Sequence, residues 1–207
     1  MTSSNIDDVL RDVDRAFSKQ IPFALSKGLN DTATEAINAM KAQLPKKLDR
    51  PTPFTMRAFA LKRSTKRNLV ATVYVKPIQA EYLEYQILGG TRRPKGKALL
   101  VPRGVRLNKY GNIPRKRVQT LLARPDTFSG TINGVAGIWQ RGHHTKTGRW
   151  STAGKAKPTS LRLLVAYEPK ASYRPLFPMQ KIVNGVFNRT LSKNVSKAID
   201  YAIETAK

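Results

Sequence analysis

Near each end of the chain, apolar residues recur at intervals of three or four, which is the spacing of one face of an α-helix. An apolar helix face has to be buried, so these two segments limit the possible folds more than any other feature of the sequence. We therefore predict a helical region over residues 1–50 and a long terminal helix over residues 178–206. The two stripes consist of Leu25, Leu29, Ala33, Ile37, Met40 and Leu44, and of Ile182, Val183, Val186, Phe187, Leu191, Val195, Ile199, Ala202 and Ile203.

The first helical region carries residues that commonly start and stop helices. A side-chain oxygen near the start can cap the free backbone N–H groups, and carboxylates in the first turn favour the positive end of the helix dipole. Pro45, which is followed by Pro51 and Pro53, is predicted to end the helix. The candidates at the start are Ser3, Ser4 and Asn5 for the cap and Asp7 and Asp8 for the first turn.

The middle of the chain, residues 54–176, changes to the shorter period of strands. β-branched and aromatic residues around a polar turn predict an antiparallel hairpin, and glycines and prolines mark the later boundaries. The segments 128–141 and 160–167 are predicted to be strands, separated by a mobile loop over 143–158. The other predicted elements are hairpin strands within 56–63 and 69–75 joined by the turn 64–68, a helix over 78–88 stopped by Gly89 and Gly90, a loop over 91–97, a strand over 98–101 and a helix from Pro114 to Leu122.

Together these elements indicate an α+β fold. Long N- and C-terminal amphipathic helices are expected to pack on an antiparallel β-sheet with long basic loops, because the middle strands offer a sheet to receive their apolar faces. A chain of 207 residues is long enough to bury about 70% of its unfolded surface. We therefore predict a single domain over residues 1–207.

Positive charge is concentrated in the middle of the chain. The net charge is +25, and residues 41–174 hold 29 of the 38 Lys/Arg but five of the 13 Asp/Glu. So much like charge on one folded unit repels itself, which indicates that a polyanion or an acidic protein surface neutralises part of it. Thirteen predicted contact residues form four clusters: the first is Lys62, Arg63, Lys66 and Arg67, the second Arg92, Arg93, Lys95 and Lys97, the third Arg103 and Arg106, and the fourth Arg115, Lys116 and Arg117.

Few residues suit catalysis or metal binding. There is no cysteine, and the adjacent pair His143 and His144, the only histidines, lacks the i, i+4 spacing of a helical metal pair. Glu81 and Glu84 share a helix face, but such pairs more often serve solubility or ion pairing than cation binding. We therefore predict no catalytic residue, no cofactor, no metal and no enzymatic activity.

Two further sequence features narrow the possible roles. The segment 90–98 resembles a phosphate-binding loop (P-loop) only in part, because five residues separate its glycines and Ala98 follows the lysine. The start of the chain is polar and acidic, unlike a secretory signal, and no apolar run approaches the roughly 18 residues of a membrane-spanning helix. We expect a soluble cytoplasmic product that does not bind a membrane.

Both ends of the chain also resemble a known family. The runs ALSKGLNDTATEA (24–36) and FPMQKIVNGVFNR (177–189), on either side of a basic middle, resemble the minor tail protein Z family of tailed phages, small tail-completion or neck proteins. The resemblance implies a homo-oligomeric, hexameric ring at the head–tail junction, around the channel through which DNA passes. It also implies portal or adaptor proteins and tail-terminator or tail-tube proteins as neighbours, and a place in the virion after synthesis in the host bacterial cytoplasm.

Two other functions remain open at this stage. A cellular protein that binds DNA or RNA without sequence specificity is the main alternative, since a pI near 10.8 is ordinary for that class. An enzyme acting on nucleic acid would have to rely on Glu81 and Glu84. The leading prediction is a non-enzymatic virion protein.

Overall fold

The computed structural model describes Ile6, Asp8, Arg11 and residues 20–153 and 159–205. Contacts between residues within the chain divide it into two compact units. The helical unit is Met1–Ile87 with Pro175–Lys207, and the sheet unit is Leu88–Arg174. The elements in chain order are α1 (Ile21–Lys47), α2 (Pro53–Met56), β1 (Phe59–Lys62), β2 (Thr72–Val75), α3 (Pro77–Ile87), β3 (Gly90–Arg92), β4 (Leu99–Pro102), α4 (Arg117–Leu122), β5 (Thr127–Ile132), β6 (Val135–His144), β7 (Trp150–Ser151), β8 (Ser160–Glu168), β9 (Ala171–Tyr173) and α5 (Met179–Glu204).

This arrangement is α+β, with a long N-terminal helix, a C-terminal helix and antiparallel sheets, as predicted. The single domain over 1–207 stays a prediction. Of the residues predicted to start the first helix, Ser3, Ser4, Asn5 and Asp7 lie outside the described residues, whereas Asp8 is helical.

In the helical unit, α1 and α5 pack against each other through small side chains. Ala24, Ala198 and Ala202 form one buried cluster. At Gly28 the helices approach so closely that a Cβ built there would lie 2.8 Å from the Cα of Val195. Small residues permit this approach because no side chain separates the two backbones.

The close packing changes which residues of the predicted stripes are buried. Leu25 and Leu29 are only half-buried, and Phe187 and Ile203 are 45% and 68% exposed. Asn194, which lies outside the predicted stripe, is buried instead. A stripe defined by apolar residues alone misses a helix contact that is made by small and hydrogen-bonded side chains.

The contact between α1 and α5 includes a buried amide. Asn194 Nδ2 donates to Thr32 Oγ1 and to Glu35 Oε1, each at 3.1 Å. Both donor hydrogens are therefore used, which avoids the free-energy cost of an unpaired buried polar group. This contact fixes the register of the two helices.

The prediction that Pro45 ends the first helix is wrong, because α1 continues to Lys47. Proline lacks a backbone N–H and its ring disturbs the preceding turn, and the helix ends two residues after it. The backbone N–H of Leu48, already extended, still donates to the carbonyl of Leu44 at 2.9 Å.

The predicted hairpin of the helical unit is confirmed as β1 and β2, which pair with Phe59 opposite Val75 and Lys62 opposite Thr72. Phe59 stacks on Phe177 with a ring-centroid distance of 5.7 Å, in a core that contains Ile37, Met40 and Leu44. The two long helices contact each other more extensively than they contact this hairpin. The expectation that both lie on a sheet is therefore met mainly by α1.

The sheet unit contains a five-stranded antiparallel sheet in the order β4-β8-β6-β5, with β7 paired to β6. β3 and β9 form a separate two-stranded sheet, in which Arg92 lies opposite Ala171. The predicted loop over 91–97 therefore begins as a strand. Residues 128–141, predicted as strand, form a hairpin instead, because Asn133 and Gly134 both adopt positive φ (48° and 79°) and reverse the chain.

Two other predicted segments are corrected in the sheet unit. The helix expected from Pro114 begins at Arg117, whose backbone N–H donates to the Pro114 carbonyl in a preceding turn. Much of the loop expected over 143–158 is a hairpin, in which His143 and His144 end β6 and pair with β7. Residues 154–158 lie outside the described part.

Candidate nucleic-acid interface

The thirteen predicted contact residues fall at the ends of strands and at the start of a helix. The first cluster lies at the end of β1 and in the turn that follows, within the helical unit. The other three clusters belong to the sheet unit, at the end of β3 and beyond, after β4, and around the start of α4. Within that unit, Lys97 and Arg103 flank the four residues of β4, a separation of about 13 Å or more along an extended strand.

Most of these side chains are exposed and lack an acidic partner. Arg92 and Arg117 are half-buried and the other eleven are exposed. Carboxylates in the described part of the chain form ion pairs with Arg11, Lys27, Arg50 and Arg124, which are all outside the four clusters. Leaving Lys95 aside, no described carboxylate neutralises a predicted contact residue.

The first cluster contains one buried residue, Ser64, which is 5% exposed. The Asn30 amide binds both backbone groups of Ser64: Nδ2 donates to its carbonyl at 3.1 Å, and Oδ1 accepts from its N–H at 2.9 Å. The Ser64 hydroxyl donates to the carbonyl of Ser26 at 3.0 Å and lies 3.0 Å from the Ser26 hydroxyl. All polar groups of Ser64 are thus held by one turn of α1.

The residues after Ser64 form a closed turn. The backbone N–H of Thr65 donates to the Asn68 carbonyl at 2.8 Å, and the Asn68 N–H donates back to the Thr65 carbonyl and hydroxyl. Lys66 and Arg67 lie between these two residues, and Lys66 Nζ lies 5.2 Å from the ring centre of Phe23 on α1. The turn is therefore fixed both to α1 and across its own base.

The third cluster lies where the chain passes close to β8. Both Arg103 and Gly104 donate their backbone N–H groups to the Leu164 carbonyl, at 2.9 and 3.0 Å. A Cβ at Gly104 would lie 2.9 Å from Arg162 Nε and from the Leu163 carbonyl oxygen. Glycine is needed at this position because a side chain would collide with the exposed Arg162 and with the backbone of β8.

In the fourth cluster, one guanidinium nitrogen is buried without a partner among the described residues. The Nε of Arg117 is buried and has no hydrogen-bond partner among the described residues. Arg115 and Lys116 beside it are exposed. These three residues make no ion pair within the described part of the chain.

The residues considered for catalysis are not brought together. His144 Nδ1 lies 3.0 Å from the Gly148 carbonyl and its ring lies edge-on to Trp150, so it belongs to the β6–β7 hairpin. Glu81 and Glu84 are exposed on α3. Among the described residues, no three His, Asp or Glu side chains are grouped closely enough to hold a metal ion.

The partial P-loop resemblance of segment 90–98 does not extend to its structure. A P-loop leads into a helix whose N-terminus faces the phosphate. Here Gly90 belongs to β3 and the segment leads into the strand β4. This geometry does not provide a P-loop nucleotide site.

Sequence reasoning found the charged residues but missed those that hold them. Ser26 and Asn30 are four residues apart on α1, so they share a face, and that polar pair beside an apolar stripe was a usable signal for a buried contact. Gly104, which lies between Arg103 and Arg106, was a weaker signal of a close approach between two backbone segments. Arg162 could not be placed beside Gly104 without knowing that β4 pairs with β8.

Comparisons of the chain with protein-family models, with curated protein sequences and with solved structures found no match. Within the described residues, no helix combines the length and the apolar character needed to cross a membrane.

Proposed function

We propose that this chain is a non-enzymatic structural subunit of a tailed-phage virion, located at the head–tail junction as a tail-completion or neck protein. Its subunits form a homo-oligomeric ring of six around the channel through which DNA passes. Portal or adaptor proteins and tail-terminator or tail-tube proteins are its neighbours. The phage assignment rests on the resemblance of segments 24–36 and 177–189 to the minor tail protein Z family.

One observation supports the DNA-facing role most directly. Twelve of the thirteen predicted contact residues have no acidic partner in the described part of the chain, and most are exposed. Such a surface repels itself and attracts phosphate, because each Lys or Arg that contacts a phosphate releases a counterion. A channel lined by these side chains suits a passing duplex and needs no sequence recognition.

Negative-stain electron microscopy and light scattering of the purified protein test the ring. We expect closed rings with six times the mass of the 23.1 kDa chain, either alone or after addition of the neighbouring neck proteins. A protein that stays monomeric with those partners, but binds duplex or RNA tightly by itself, would support the cellular nucleic-acid-binding alternative. Robust turnover of a nucleic-acid substrate would overturn both.

A further inference from the structure

The first cluster differs from the other three in how its backbone is held. Ser64 lies between two pairs of cations, and Asn30 and Ser26 bind its N–H, carbonyl and hydroxyl groups. These buried bonds to α1 determine where the turn lies and which way its cations point.

A buried polar network of this kind favours one geometry over others. An apolar contact at Ser64 would tolerate small shifts and rotations, whereas an amide that binds both a carbonyl and an N–H accepts only one orientation of the backbone. Asn30 is only 8% exposed, so water competes little for these bonds. The backbone beside Ser64, which carries Lys62, Arg63 and Arg67, is consequently held in one position.

The chemistry of the turn fits phosphate groups rather than bases. Its exposed side chains are hydrogen-bond donors with positive charge, and no carboxylate in the described residues pairs with them. The nearby ring of Phe23 is covered by Lys66 Nζ, 5.2 Å from the ring centre, so a base could not stack on that face. Base recognition by stacking would need such a platform.

We propose that the turn 62–67 is a preorganised contact for the phosphate backbone of duplex DNA, and that Asn30 is the residue that positions it. A flexible basic loop would lose conformational freedom when it binds, and a turn that is already ordered avoids that cost. Asn30 and Ser26 do not touch the DNA. The inference rests on the proposed function, since it names the part of the chain that faces DNA.

Binding of the full-length protein to a short duplex, measured across a range of salt concentrations, tests the contact. The variant Lys62→Gln/Arg63→Gln/Arg67→Gln should bind at least about tenfold more weakly at about 0.1 M salt, and the slope of log K against log salt should fall by roughly three. The matched control, Lys181→Gln/Lys193→Gln/Lys197→Gln, removes the same charge from exposed residues of α5 that lie outside the four clusters, and it should bind more tightly than the first variant. Equal losses in the two variants would overturn the contact.

The positioning role predicts a different signature. Asn30→Ala keeps every cation, so it should weaken binding by about three- to tenfold with an unchanged salt slope. Because this variant also leaves buried groups unpaired and can lose stability, Thr65→Gly is used as well: it removes a bond across the exposed turn and leaves the core intact. Wild-type affinity of a folded Asn30→Ala protein would overturn the role of Asn30, and wild-type affinity of Thr65→Gly would overturn the need for an ordered turn.

These outcomes are separable from failure of the proposed function. If the wild-type protein and its rings bind no duplex even at low salt, the DNA-facing part of the proposed function fails, and this inference fails with it. If the wild type binds and only the comparison of variants gives the wrong order, the inference alone fails.

Discussion

Asp126 lies in a network that makes its charge important for the stability of the sheet unit. Its carboxylate accepts hydrogen bonds from Arg124 Nε at 2.9 Å, from Arg124 Nη2 at 2.6 Å and from Gln140 Nε2 at 2.8 Å. The Arg124 guanidinium lowers the pKa of this carboxyl below its usual value of 3.8, burial acts in the opposite direction, and Gln140 adds to the lowering. The charged form is therefore favoured in the folded state.

This shift predicts a pH dependence of stability. A carboxyl with a lower pKa in the folded state stabilises the fold above its unfolded-state pKa, and this stabilisation is lost as the pH falls through the folded-state value. Asp126→Asn should therefore lower the free energy of unfolding at neutral pH and flatten its decline between about pH 5 and pH 3. Urea unfolding at several pH values measures both effects.

Arg124→Met should flatten the same curve, because it removes the main cause of the shift while Asp126 is kept. Parallel pH curves for the wild type and both variants would contradict the assignment.

At the scale of single residues, the sequence predicted the exposed cations but not the residues that support them. Lysines and arginines in a run with few acids indicate an exposed surface by composition alone. The spacing of Ser26 and Asn30 indicates a buried polar contact, but their partner Ser64 lies 34 residues from Asn30 in the chain, so no local pattern identifies it.

At the scale of elements, the contact between α1 and α5 depends on Gly28. A Cβ there would lie 2.8 Å from the Cα and 2.9 Å from the backbone nitrogen of Val195, so the backbones themselves would have to move apart. Gly28→Ala should lower the free energy of unfolding by about 1–3 kcal/mol, as overpacking does elsewhere. This loss should appear in urea unfolding although alanine is the better helix former by about 1 kcal/mol.

Gly185→Ala is the matched control on α5. A Cβ at Gly185 meets nothing within 4 Å, so this substitution should stabilise the protein by about 0.5–1 kcal/mol. The same sign of change in both variants would contradict the close approach of the two helices at Gly28.

The period of apolar residues predicted the type of most elements, while their contacts needed the tertiary structure. Both long helices and the β1–β2 hairpin lie close to their predicted positions. The hairpin at Asn133 and Gly134 was missed although this dipeptide is a strong signal for a tight turn. The helix faces were partly wrong because small residues and Asn194 form the contact between α1 and α5.

At the scale of the whole molecule, a net charge of +25 predicts that salt stabilises the isolated protein. Raising the salt concentration from about 0.01 M to about 0.1 M shortens the Debye length from about 30 Å to about 10 Å, so repulsion between clusters weakens. The midpoint of thermal unfolding should rise by roughly 2–4 °C for each kcal/mol of repulsion removed.

Gln substitution of three of the four cations of the second cluster, Arg92, Arg93 and Lys97, should reduce this response to salt. A midpoint that is constant or falls as salt is added would show that the cations do not repel one another appreciably in the folded chain.

The pairing of α1 with α5 joins residues that are far apart in sequence: Asn194 and Thr32, which share a hydrogen bond, are separated by 162 positions. A ribosome builds the chain from its N-terminus, so α1 emerges long before its helical partner has been translated. The whole of Leu88–Arg174 is available to fold during that interval. The contact between α1 and α5 can therefore form only after Leu88–Arg174 has been synthesised, which gives the sheet unit time to fold first.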